Sequence, residues 1–292
     1  MEPALTLRGD ARVRRRRIVN RLAEALATVA ALAAVAVLAI VIWSVAKRGG
    51  GQLSWAFLTH DLPIPFSGEG GGIAPLIVGS GILVGLATAI ALPVGVCIAV
   101  FLEEFASPAV RTPVQLSVDL LNGLPSIIIG VFVFGLLVYG HPQNGWAGSF
   151  GLAIVMLPLI TRTSQEVLRL VPRGDREAAL ALGASRWRTV LGIILPSAFG
   201  GILTGTVLAA ARAAGETAPL LFATAIFGRQ VNLNPSHALP NIPVQVFIWS
   251  ESADPMDHER AWASALVLML FVLATSLLAR LALARSRRRL GK

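Results

Sequence analysis

The sequence predicts an all-α polytopic membrane protein with six transmembrane helices, and three observations predict it. Hydrophobic residues make up 55% of the 292 and charged residues only 14%, where soluble domains carry roughly a quarter charged. The apolar residues gather in six runs of about the 20 residues a helix needs to cross a bilayer. Lysine and arginine collect beside alternate runs. The net charge of +9 is therefore read as topology. No basic or aromatic recognition module accompanies it, which argues against nucleic acid as a partner.

The runs are residues 25–46, 73–102, 115–139, 146–168, 195–225 and 261–283. The first follows Arg14 to Arg17 as a signal peptide would, but it is too long for an ordinary signal core and is read as a retained span. The fourth is interrupted by Arg162. With the N-terminus inside, seven arginines precede the first span, Arg111 follows the second, six lie between Arg162 and Arg188, and six basic residues lie from Arg280 onward. The outer segments hold only Lys47, Arg48, Arg229 and Arg260. This twenty-to-four split predicts that both termini are cytoplasmic.

The resulting organisation is a basic cytoplasmic tail (1–24), a first span (25–46), an outer loop (47–72), a five-span core (73–283) and a basic tail (284–292). Within the core lie a cytoplasmic loop (173–195) and an outer loop (227–260). Both outer loops are rich in breakers, Gly49 to Gly51 and Gly70 to Gly72 in one and Pro235, Pro240, Pro243 and Pro255 in the other. Plain connectors are one reading. The apolar residues Trp55, Phe57, Phe247 and Trp249 favour a docking surface for an external partner. One cysteine, Cys97, and four scattered histidines predict neither an intrachain disulfide nor a metal site.

The cytoplasmic loop is the most informative stretch. Asp175 is placed to cap a short helix, Gly183 to end it and Ser185 to cap a second helix leading to Pro196. Ala178 and Ala179 permit close approach of another surface, Glu177, Arg186 and Arg188 add oriented charge, and Trp187 offers a buried anchor. Glu177-Ala178-Ala179, Gly183, Ile193 and Leu195-Pro196, in that spacing, resemble the EAA motif of binding-protein-dependent ABC permeases. The resemblance implies that Glu177, Ala178, Ala179 and Gly183, with Arg186 and Trp187, form a coupling helix on an ATP-binding subunit. The chain has no Gly-x-x-x-x-Gly-Lys-Ser/Thr phosphate loop, so ATP hydrolysis is expected on another polypeptide.

Arg212 lies sixteen residues after Pro196, where its helix is expected to begin, close to the expected midplane, where a charge is costly unless paired or hydrated. Glu216, four residues on, shares its face. A structural ion pair is one reading, and a pathway pair exposing a guanidinium to an oxyanion is the other. In the third span Asp119, Asn122, Ser126 and Gly130 fall on one helical stripe, with Asp119 alternatively at the inner membrane surface. Pro125 and Pro219 would each free a backbone carbonyl and bend its helix.

The blocks Gly70 to Ala74, Leu124 to Ile127, Arg212 to Leu221 and Leu239 to Phe247 are similar to PstA-type phosphate permeases. That resemblance implies a MetI-like permease subunit in the bacterial cytoplasmic (inner) membrane, with no catalytic residues and no cofactor of its own. Its implied partners are a similar but nonidentical sister permease, two ATP-binding subunits using ATP and Mg, an extracytoplasmic phosphate-binding protein and membrane lipid. The substrate pathway would include Arg212, Glu216, Thr217, Asp119, Asn122 and Ser126. Another solute, such as an amino acid, sulfate or molybdate, and an ion-coupled secondary transporter are the alternatives.

Overall fold

The computed structural model describes residues 11–64, 71–225 and 228–289. Arg8, Gly70, Phe227 and Lys292, which entered the sequence reading, lie outside them. Every regular element among the described residues is helical. The chain divides into two units, residues 1–48 and 49–292.

In the first unit, α1 (Ala11–Gly49) is one unbroken helix. At 1.5 Å per residue it is about 58 Å long, so it outruns the roughly 30 Å of hydrocarbon, and its arginine-bearing first turns continue the span as helix. Leu26, Val29, Leu32 and Trp43 are all more than half exposed. An apolar helix with its side chains outward is built for a non-aqueous surrounding.

In the second unit, α2 (Trp55–Thr59) is a short helix capped by Ser54, whose hydroxyl accepts from the Phe57 amide. It precedes α3 (Ala74–Val100), which continues through a π turn, Phe101–Phe105. The next elements are α4 (Pro108–Gly123) and α5 (Ser126–Val133), the latter extended by a second π turn, Phe134–Val138. Then come α6 (Gly145–Arg169), α7 (Arg173–Ala181) and α8 (Arg186–Thr189). A third π turn, Val190–Ile194, joins α8 to α9 (Leu195–Ala213), followed by α10 (Ala218–Ala223), α11 (Ile242–Ser250) and α12 (Pro255–Arg289).

Among the described residues, five helical stretches are long and apolar enough to cross a membrane. The expected third span is different: α4 and α5 meet at a 99° bend. The cause is local. Leu124 precedes Pro125, whose ring disfavours the helical conformation there, and Leu124 is extended with ψ 133°. The stripe of Asp119, Asn122, Ser126 and Gly130 therefore does not exist as one helical face. Asp119 and Asn122 ride on α4, Ser126 and Gly130 on α5. At Gly130 a Cβ would meet Phe222 at 2.8 Å and the Ala218 carbonyl at 2.9 Å, so glycine here lets α5 close on α10.

The expected fifth span, 195–225, also divides. It starts earlier, at Arg186, and its long helix stops at Ala213. Pro219 then sits in the first turn of α10, where its missing N–H costs nothing, so it starts a helix and does not kink one.

The centre of the bundle is the line of α3, α6 and α9. Leu83, Ala87 and Ala91 of α3 meet Leu152, Met156 and Ile160 of α6 and Ala209 and Ala213 of α9. Small residues at the crossings let membrane helices approach where no water is left to drive them together. A second cluster closes the end of the bundle that carries α2 and α11: Phe57, Leu62, Ile73, Ile242 and Trp249 pack with Ala261 and Ala263. Of the four aromatic anchors, Phe57 and Trp249 are thus buried within the chain, whereas Trp55 is 80% exposed and Phe247 about half exposed.

Candidate functional site

Two sites lie at different depths of the bundle. The first is the α7–α8 turn. α7 starts at Arg173 after Pro172, so Asp175 falls in its first turn and forms no cap. A carboxylate there still favours the positive end of the helix. The helix stops at Gly183, whose φ of +81° is left-handed. The Gly183 amide donates to the Leu180 carbonyl and the Ala184 amide to the Ala179 carbonyl, the paired bonds of a Schellman ending. Ser185 accepts from the Arg188 amide to start α8.

This geometry sets which side chains face outward. Glu177, Ala178 and Arg186 are exposed, and Ala179 is turned inward. Leu182 is 89% exposed, and Leu180 about half. Trp187, offered as an anchor for another surface, is 60% exposed in the chain, and its ring lies 4.5 Å, centroid to centroid, from Phe105. Leu182, at a position the motif leaves unspecified, completes an apolar and charged face that a folded monomer has no reason to leave uncovered.

Arg176 fastens the back of α7. Its guanidinium donates to Glu104 Oε1 at 2.9 Å, to the Leu168 carbonyl at 2.7 Å and to the Val171 carbonyl at 3.2 Å. The neighbouring Glu103 accepts from Arg169 at 2.7 Å, Arg111 at 3.0 Å and Gln165 at 3.1 Å. Gln165 reaches Gln115, and Gln115 donates to Asp119, which also pairs with Arg162. Sequence reasoning passed over Glu103 and Glu104. The available signal was two adjacent acids closing an apolar run in a chain with sixteen acids in all.

The second site is a cavity of about 240 Å³ where the two chain breaks meet. Asn122 reaches it from the end of α4, Ser126 from the first turn of α5, and Arg212 and Glu216 from either side of the α9–α10 break, with Ile129 and Val155 as apolar wall. The break follows from sequence: beyond Ala213 the Gly215 amide turns back to the Arg212 carbonyl and the Glu216 amide to the Ala213 carbonyl. Arg212 is thereby in the last turn of α9, not in the middle of a straight helix. Its Nε lies 4.0 Å from Glu216 Oε1, and its side chain is 62% exposed. The pair is real and loose, so the guanidinium keeps donors for a ligand.

The structure gathers Asn122, Ser126, Arg212 and Glu216, and places two other candidates elsewhere. Thr217 lines a separate, largely apolar cavity of about 420 Å³ with Pro243 and Met269. Asp119 is held by Arg162 and Gln115 and does not line the cavity of Arg212. No cluster of three metal-ligating side chains occurs among the described residues.

The family profile for the inner membrane component of binding-protein-dependent transport systems matches residues 91–292. The chain belongs to that family. Among curated relatives, the phosphate transport system permease protein PstA of Yersinia pestis is 36% identical over 274 residues, which are 93% of this chain and 92% of the relative. PstA of Haemophilus influenzae is 36% identical over 91% of this chain and 94% of the relative. PstA 1 of Mycobacterium tuberculosis is 33% identical over 91% and 88%. The permease is thus on the PstA branch.

Solved transporters agree on the fold. A bacterial alginate ABC transporter, bound to a periplasmic protein carrying an alginate pentasaccharide, superposes with a TM-score of 0.62 over 92% of this chain and 96% of that one at 15% identity. The methionine transporter MetNI in an inward-facing conformation gives 0.55 over 72% and 94% at 17% identity. The permease therefore has the MetI-like all-helical fold of a multi-pass membrane protein.

Proposed function

We propose that this permease is the membrane subunit through which inorganic phosphate enters the cytoplasm, in an importer driven by separate ATP-binding subunits. The observation that carries the cargo is identity of about a third to PstA phosphate permeases along nine-tenths of the chain. The pocket supports it chemically. Arg212 offers planar donors to an oxyanion, Ser126 and Asn122 add neutral donors, and the positive end of α5 opens onto the same space. A volume of about 240 Å³ accommodates a tetrahedral anion with part of its water, at about 30 Å³ per water. Glu216 keeps the guanidinium from being a permanent anion trap, since release requires that binding stay weak.

The permease has no catalytic residues and binds no cofactor; ATP and Mg act on two partner subunits docked against Glu177, Ala178, Gly183, Arg186, Leu182 and Trp187. A similar but nonidentical permease completes the pathway, and a phosphate-binding protein docks at the α2–α11 end, where Trp55 and Phe247 stay exposed. The assembly sits in the bacterial cytoplasmic membrane with both termini inside. Arginines flank α1 at its start and α12 at its end, which demands an even number of crossings. The five unbroken helices alone do not give one; the α4–α5 pair supplies the sixth.

Transport then follows as alternating access. Closure of the ATP-binding subunits moves α7, the bundle tilts, and phosphate delivered from outside passes Arg212 inward. Uptake of labelled phosphate by vesicles containing this chain and its copurifying partners, with and without ATP, tests the reading. ATP-dependent uptake that unlabelled phosphate, but not sulfate, molybdate or amino acids, competes away is expected. Uptake unaffected by excess phosphate, or uptake without ATP, overturns it.

A further inference from the structure

We propose that the adjacent carboxylates Glu103 and Glu104 are the positioning pair that carries movement of α7 to α4, and so to the anion pocket; this rests on the reading of α7 as the coupling element. Adjacent side chains on a helix point to different sides: Glu104 meets α7 and holds Arg176 at 2.9 Å, while Glu103 holds Arg111 of α4 and Arg169 and Gln165 of α6. Both sit in the π turn at the end of α3. Such a turn departs from regular α-helix and is frequent at functional sites.

Three features distinguish this from packing. The Glu103 and Glu104 side chains are only 7% and 16% exposed, and replacing a buried ion pair by apolar residues of the same shape often costs no stability. What charge adds is a directed link that holds while its ends move. Arg176 also grips the Leu168 and Val171 carbonyls at the C-terminal end of α6, so α7 is pinned to α3 and α6 at one residue. Beside that pin lies a hollow of about 230 Å³, bounded by Leu180, Arg186, Thr189 and Ile194. α7 is thus held at Arg176 and has free space next to it, the arrangement of a rocker. From Arg111, α4 runs three turns to Asn122 at the pocket.

The test reads motion independently of cargo. In the assembled transporter, with Cys97→Ser and Asn122→Cys, the rate at which position 122 reacts with a soluble maleimide is measured with and without a non-hydrolysable ATP analogue. With both carboxylates present, the analogue is expected to change that rate severalfold. Glu104→Gln is expected to abolish the change while the ATP-binding subunits still copurify, and Glu104→Asp to restore most of it. Arg176→Gln removes the same contact from the other side and is read identically if Glu104→Gln fails to accumulate. A nucleotide response within twofold of the parent in these Gln variants overturns the proposal. So does equal loss in Glu104→Gln and Glu104→Asp together with a lowered melting temperature, which marks a purely structural role. Failure of the unsubstituted transporter, with Asn122 and Cys97 intact, to import phosphate rejects the cargo, and leaves the labelling result to decide the carboxylates.

Discussion

The network around Glu103 and the pocket around Arg212 both consist of charges in an apolar bundle, and they are treated oppositely. At Glu103 one carboxylate serves three donors within 3.1 Å. At Arg212 a single carboxylate stands 4.0 Å off, and most of the guanidinium is open. A carboxylate held by several close donors keeps the elements that carry them at a fixed distance. Under-paired charges keep capacity for something that comes and goes. On the proposed reading, the difference separates the part of the molecule that transmits from the part that handles the ion.

Three substitutions sharpen that contrast. Arg212→Gln has the largest effect: loss of charge-assisted bonds worth about 1.5–3 kcal/mol lowers phosphate uptake roughly ten- to hundredfold, while the melting temperature of the purified complex stays put because the side chain is mostly exposed. Unchanged uptake removes Arg212 from the pathway. Gly183→Val comes next. A Cβ in the left-handed region costs about 1–2 kcal/mol, and the α7–α8 turn needs φ +81°, so copurification of the ATP-binding subunits falls about tenfold; full retention shows that the turn does not set the docking face. Asp119→Asn is smallest. Its partner Arg162 is about half exposed, which limits the pair to roughly 1 kcal/mol or less. A slight drop in melting temperature with uptake within twofold is expected, and a tenfold loss of uptake would put Asp119 in the pathway.

Much of this was legible in the sequence, for identifiable reasons. Run length and arginine placement report on single helices and a bilayer, so α3, α6 and the α7–α8 loop are recognisable residue by residue. Gly183 was readable because only one backbone conformation ends a helix that way with glycine. Pro125 and Pro219 were recognised as places where the helix is disturbed, but a proline does not say whether a helix bends, breaks by 99° or starts afresh; neighbours packed through Gly130 decide that. Asn122, Ser126, Arg212 and Glu216 were anticipated together, although the helical spacing that selected Asn122 and Ser126 also brought in Asp119 and is invalidated by the bend, and Thr217 entered only with the family resemblance. Glu103 and Glu104 went unread because their partners, Arg111, Arg169 and Arg176, lie up to 72 residues away, beyond any local pattern.

The broken α4–α5 passage also has a consequence for how the chain is made. At about 24 Å, α4 is too short to cross the hydrocarbon, and α5, which also meets Ala147 and Gly151 of α6, closes most tightly on α10, which begins 92 residues after α5 does. At about 5–20 residues per second, that partner emerges roughly 5–20 seconds later. During synthesis the third passage therefore waits, half-supported, for the fifth. The order of insertion is not the order of completion, and the pocket between the two breaks is among the last places in the molecule to exist.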